Sequence, residues 1–255
     1  MIKFTKLGNG VEPVIVIHDW FSDVSSYEVM ERFLNVDDFR YYFIDLRGYG
    51  KSKDINGNCT VEEAADDIML VADQEGLDKF HIVGHSMSGM IVQYIDVIAA
   101  DRLKSVTCIT PVPACGSPVP EDVDEFLVDA ATANDESARE IVQMMTGNRY
   151  GDTFINYKVE RWRQTAFPEA RVAYMRMFTQ TNFADRIKGT ATPYLVVVGG
   201  YDAEGHSKEV MQQTFGKWMK NCKIEVFAES GHYPMQEQPV LLAAAIEKFI
   251  REYSV

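Results

Sequence analysis

Basic residues are in short supply in this chain: 25 Lys and Arg stand against 38 Asp and Glu, a formal net charge of −13. A surplus of negative charge repels polyanions, so neither nucleic acid nor an anionic membrane is expected as a partner. Long apolar runs are also missing. No stretch reaches the roughly 18 residues that mark a membrane span, and the start, Met1-Ile2-Lys3-Phe4-Thr5-Lys6, lacks the apolar run of a secretory signal. Cysteine is sparse: Cys59, Cys108, Cys115 and Cys222 are scattered without metal-ligand spacing, and they are most simply read as reduced thiols of a cytoplasmic protein. No metal site is expected. Internal repeats and low-complexity tracts are absent as well.

What is present is enough apolar material, 46% of 255 residues, to fill the core of one large α/β domain carrying an insertion. Six short apolar segments, at 14–17, 41–44, 80–83, 105–110, 194–198 and 223–227, are β-branched or aromatic and do not alternate. Strands covered on both faces have that composition. Residues 2–5 form a candidate edge strand before the Gly8-Asn9-Gly10 turn. Helical patterns at 61–74, 87–99, 208–219 and 240–252 lie between the strands, with Thr60 and Glu63 as a capping box and Pro239 at a helix start. Strand and helix in alternation predict a doubly wound, mostly parallel sheet. Residues 114–187 break the rhythm with four helical stretches, 122–133, 136–146, 152–165 and 169–181, punctuated by Gly147, Gly151 and Pro168. The division expected is a core of residues 1–113 and 188–255 with a helical lid at 114–187.

The chemistry begins at Gly84-His85-Ser86-Met87-Ser88-Gly89, where an apolar strand pattern gives way to a helical one at a single serine. Small residues two positions either side of Ser86 let strand and helix approach closely while the serine is held in a strained, outward position. Ser88 stands where the motif G-x-S-x-G has its last glycine. A serine hydroxyl needs a base and an acid to orient that base. Of the five histidines, His81 lies within a strand, His18 and His85 belong to other motifs, and His206 sits just past Asp202. Only His232 occupies a loop after the last strand, beside Gly231. Asp202 follows the buried strand that ends in Gly199-Gly200 and is favoured over its neighbour Glu204. The backbone N–H of Met87, at the start of the next helix, is a fixed dipole suited to an oxyanion.

Ser, Asp and His in that chain order, together with Ile17-His18-Asp19-Trp20-Phe21, resemble the α/β-hydrolase superfamily over essentially the whole length. The resemblance implies an α/β-hydrolase fold with a lid, catalytic Ser86, Asp202 and His232, and an oxyanion hole made by the amides of Trp20 and Met87. Asp19 departs from the family's glycine; it is expected to strain the backbone and to point away from the oxyanion. Asp45 and Arg47 resemble a structural turn of the family rather than catalytic groups. Aromatic and methionine side chains of the lid imply an apolar pocket, with Phe21, Met144, Tyr157, Trp162 and Phe178 as candidate lining. The implied activity is hydrolysis of small to medium apolar esters or lactones through an acyl-enzyme, without cofactor. Two alternatives share the triad: carbon–carbon bond hydrolases or cofactor-free perhydrolases, and slow-hydrolysing ligand sensors that act through a protein partner. The oligomeric state is left open.

Overall fold

A computed structural model describes residues 1–254. Its centre is a seven-stranded sheet of β1 (Lys3–Leu7), β2 (Glu12–Ile17), β3 (Phe39–Asp45), β4 (Phe80–His85), β5 (Leu103–Ile109), β6 (Tyr194–Gly199) and β7 (Cys222–Phe227). The order across the sheet is β1-β3-β2-β4-β5-β6-β7. Only β1 runs antiparallel, pairing Lys3 with Asp45 and Leu7 with Tyr41. The inner strands are buried almost continuously, as their unbroken apolar sequences require when helices cover both faces. β7 is mostly half-buried or exposed instead, and only Phe227 at its end is buried. It is an edge strand, and its outer side faces solvent.

The principal helices are α1 (Val61–Gln74), α2 (Met87–Ala99), α3 (Glu121–Thr132), α4 (Asp135–Met145), α5 (Asp152–Thr165), α6 (Pro168–Gln180), α7 (Lys208–Gln213) and α8 (Pro239–Arg251). α1 begins as its sequence predicts: Thr60 Oγ1 accepts from the Glu63 amide, and Glu63 reaches back to the amide of Cys59. The helix expected over 208–219 is broken. α7 stops at Gln213, and a single turn, Phe215–Trp218, follows. Thr214 causes the break, since its hydroxyl takes the Val210 carbonyl and its backbone leaves the helical region.

Four long helices, α3 to α6, and a single turn at Ala184–Ile187 occupy the chain between β5 and β6. α3 packs on α6 and α4 on α5, so the insertion is two helix pairs. The loops after β2, β4, β6 and β7 all emerge at the carboxyl ends of the parallel strands, where doubly wound sheets place their ligands. No helix is long and apolar enough to cross a membrane among the described residues.

Candidate active site

Ser86 joins β4 to α2 with φ 55° and ψ −116°, a left-handed conformation that serine adopts only when its surroundings enforce it. The enforcement is visible. A Cβ on Gly84 would lie 2.4 Å from the Ser88 carbonyl oxygen, and one on Gly89 would lie 2.3 Å from the Pro111 side chain. Ser88 does more than stay small, because its hydroxyl donates to the His18 carbonyl at 2.5 Å and ties the serine turn to the loop after β2.

Ser86 Oγ donates to His232 Nε2 at 2.8 Å, and His232 Nδ1–H donates to Asp202 Oδ2 at 2.8 Å. Three residues far apart in sequence thus form one hydrogen-bonded chain. The second Asp202 oxygen accepts from the Ala203 amide at 2.7 Å, and the carboxylate is sealed from solvent. Burial pushes the Asp202 carboxyl up to about 7, against the pull of nearby His206. Burial also drives the His232 imidazole down to about 4. Above pH 7 the pair therefore stands as carboxylate and neutral imidazole, the form in which Nε2 can take a proton. Activity that depends on this pair is expected to fall as the pH drops and the hydrogen-bonded pair takes up a proton, and a pH–rate profile would check it.

Several residues that the sequence did not single out hold His232 in place. Its carbonyl accepts from His85 Nε2 at 2.7 Å and from Thr110 Oγ1 at 3.0 Å, and its amide donates to the Met145 carbonyl at 2.9 Å. Glu237 grips the same loop, accepting from the amides of Gly231 and Tyr233 at 2.7 and 2.8 Å while paired with Arg149 at 2.5 Å. Asp202, His206 and His232 have ligand atoms within 4.8 Å of one another. Two of the three are already spent on the proton chain, and His206 Nδ1–H goes to the Pro111 carbonyl at 3.2 Å. A cation could enter only by breaking the His232–Asp202 bond.

The loop after β2 is built around His18. Its Nε2 accepts from the Leu46 amide at 3.1 Å and its Nδ1–H donates to the Asp19 carbonyl at 2.7 Å, which fixes the peptide plane that carries the Trp20 N–H. The expected strain at Asp19 is absent, since Asp19 is not among the residues with positive φ. Its side chain is buried, and Oδ2 accepts the Phe21 amide at 3.1 Å in a local turn that replaces the freedom of glycine. Asp19 borders the cavity, and its Oδ1 lies 3.7 Å from His85 Nδ1. The Met87 amide, at the first position of α2, has no partner within its own helix. Asp45 and Arg47 stay in structural work. Asp45 accepts the Val24 and Lys51 amides, and Arg47 grips Asp67 with two nitrogens.

Above Ser86 lies a cavity of about 220 Å³. Phe21, Met144 and Phe178 line it, with Trp20 from the loop after β2 and Leu127 and Ile141 from α3 and α4. Tyr157 and Trp162 do not. The buried face of α5 runs through Ile155, Lys158, Val159 and Trp162, which leaves Tyr157 outside it and 41% exposed. Trp162 is wholly buried and stacks on Phe21 at 4.0 Å between ring centres, behind the cavity wall.

A parallel sheet, a strained serine at the end of a central strand and an imidazole–carboxylate pair beside it define a hydrolase of the α/β class. Residues 14–245 match the model of the alpha/beta hydrolase family, and the chain belongs to that family. It is 24% identical over 98% of its length to the dihydrolipoyllysine-residue acetyltransferase component of the acetoin cleaving system of Cupriavidus necator, and spans 66% of that protein. It is 21% identical to esterase YbfF of Escherichia coli over 94% of this chain and 93% of the other. An esterase structure from Exiguobacterium antarcticum superposes with a TM-score of 0.85 at 18% identity, covering 98% and 95% of the two chains.

Proposed function

We propose that this protein is a serine hydrolase of small to medium apolar carboxylic esters or lactones. The observation that carries the reading is the unbroken chain Ser86 Oγ, His232, Asp202 at 2.8 Å steps beneath an apolar cavity. Ser86 Oγ attacks the carbonyl carbon as His232 Nε2 takes its proton, and Asp202 stabilises the imidazolium that forms. The amides of Met87 and Trp20 hold the oxyanion. His232 returns the proton to the departing alkoxide, water then attacks the acyl-Ser86 ester by the same route, and the acid leaves. In a lactone the departing alkoxide stays attached to the acyl group. Esterase YbfF, similar along nearly its whole length, supports ester chemistry.

The residues lining the cavity include no lysine or arginine, and the carboxylate of Asp19 is itself buried. A substrate that must bury its own negative charge there has nothing to pair with. This favours neutral acyl groups over the acidic dienones of carbon–carbon bond hydrolases. The test is a panel of aryl esters. Acetate to hexanoate esters are expected to turn over and a fluorophosphonate to label the peptide containing Ser86, with both signals lost in Ser86→Ala. The anionic hemisuccinate ester is expected to be slower than the neutral butyrate by more than about tenfold. Turnover persisting in Ser86→Ala would remove the proposal.

A further inference from the structure

Three buried polar atoms, Asp19 Oδ1, His85 Nδ1 and Lys158 Nζ, have no hydrogen-bond partner among the described residues. Their residues are 1%, 0% and 0% exposed. Burial and the nearby His232 hold the His85 imidazole well below its usual value, so it is neutral. Its Nε2 proton goes to the His232 carbonyl, so Nδ1 turns a lone pair toward Asp19 Oδ1 at 3.7 Å. Two acceptors facing one another stabilise nothing. A carboxylate this deeply buried needs a cation from elsewhere.

The buried lysine of helix α5, Lys158, is the candidate. The helix presents residues 158, 161 and 162 on one face, an i, i+3, i+4 set, to the elements around the serine. Arg161 reaches Ser25 Oγ at 2.5 Å and Asp23 at 3.5 Å, and Trp162 stacks on Phe21. Lys158 Nζ sits 3.8 Å from the centre of the Tyr233 ring, next in sequence to His232. Burial lowers the Lys158 ammonium from its usual value, and among carboxylates Asp19 opposes this most strongly, followed by Glu237. We propose that Lys158 is a positioning residue: its ammonium neutralises Asp19 behind the serine, and the two opposed charges together set how readily His232 accepts a proton.

The proposal rests on the hydrolase reading of His232. The groups around this imidazole are Asp202 on Nδ1, His85 and His206 with ring centres at 5.2 and 4.6 Å, Tyr233 beside it and Glu237 beneath its loop, while Asp19 and Lys158 act on it through their charge. Asp19 favours the protonated ring and Lys158 opposes it. Opposite effects provide a test that loss of packing cannot imitate. In Lys158→Met the acid limb of kcat/KM for a neutral aryl ester is expected to move up by about one pH unit, and in Asp19→Asn down by a similar amount. The double variant should fall between them, near wild type.

NMR titration of the His232 ring should give the same order without any turnover. It separates this proposal from the hydrolase reading, which would fail on its own if Ser86→Ala kept full activity. Shifts of the same sign, or none, in folded variants would overturn the charge pair. Should Lys158→Met not fold, the double variant is expected to fold, because it leaves no unpaired charge; a double variant that stays unfolded would equally overturn it.

Discussion

Asp202→Asn is expected to lower kcat about 10⁴-fold while leaving the folded protein at least as stable as wild type above pH 7. The activity loss follows from the hydrogen-bond chain. An asparagine that presents its NH₂ to His232 selects the wrong tautomer and cannot stabilise the imidazolium. The stability gain follows from burial. Asp202 is sealed from solvent, and its carboxyl is raised from the ordinary 3.8 to about 7. A group raised in the folded state binds its proton more tightly there than in the unfolded chain. Its contribution is fully favourable below 3.8 and is lost as pH climbs to about 7, at up to roughly 1.4 kcal/mol per pH unit. Asparagine has no such loss. The difference in Tm, variant minus wild type, should therefore grow between pH 5 and 7 and level off above it. Calorimetry across that range, beside ester kinetics at pH 8, checks both halves. A variant that is equally destabilised at every pH would show that Asp202 serves the fold rather than the imidazole.

Much of this site was legible in the sequence because its signals are local. The strand-to-helix break with small residues around Ser86 is a demand of close approach, and Gly84 and Gly89 meet atoms within 2.4 Å of where a Cβ would stand. Strand positions were legible for a similar reason: unbroken apolar runs admit few arrangements other than a sheet covered on both faces. Elements that depend on distant partners were harder to read. Trp162 carries the same aromatic signal as Phe178, yet one lies behind the cavity wall and the other forms it, and only the rotation of α5 and α6 decides which. His85 reads only as part of the serine motif, but its use is a bond to a carbonyl 147 residues away. Glu237 gave one available signal, a carboxylate four residues after Tyr233 in a tight loop. Asp19 was read through the geometry of the glycine it replaces, whereas its own side chain builds a different turn.

Gly199→Ala is expected to lower kcat about 100-fold and stability by about 3 kcal/mol, or roughly 10 °C in Tm. A Cβ at Gly199 would stand 2.0 Å from the Gly231 carbonyl oxygen and 2.9 Å from that of Ser230. Both contacts are backbone, so no side chain can rotate out of the way. The loop after β7 has nowhere to retreat either. A Cβ on Gly231 would lie 2.7 Å from the Met145 carbonyl, the same carbonyl that accepts the His232 amide. The histidine loop is thus held between the end of β6 on one side and the end of α4 on the other. Pushing it off β6 lengthens the Ser86–His232 and His232–Asp202 bonds together, and catalytic groups displaced by about an ångström lose most of their advantage. Gly151→Ala provides the comparison. Nothing lies within 4 Å of its Cβ position, and the cost should be under about 1 kcal/mol. If Gly199→Ala lost stability yet kept full turnover per folded molecule, the imidazole loop would have to be mobile enough to rebuild the chain, and the rigid placement argued for His232 would be wrong.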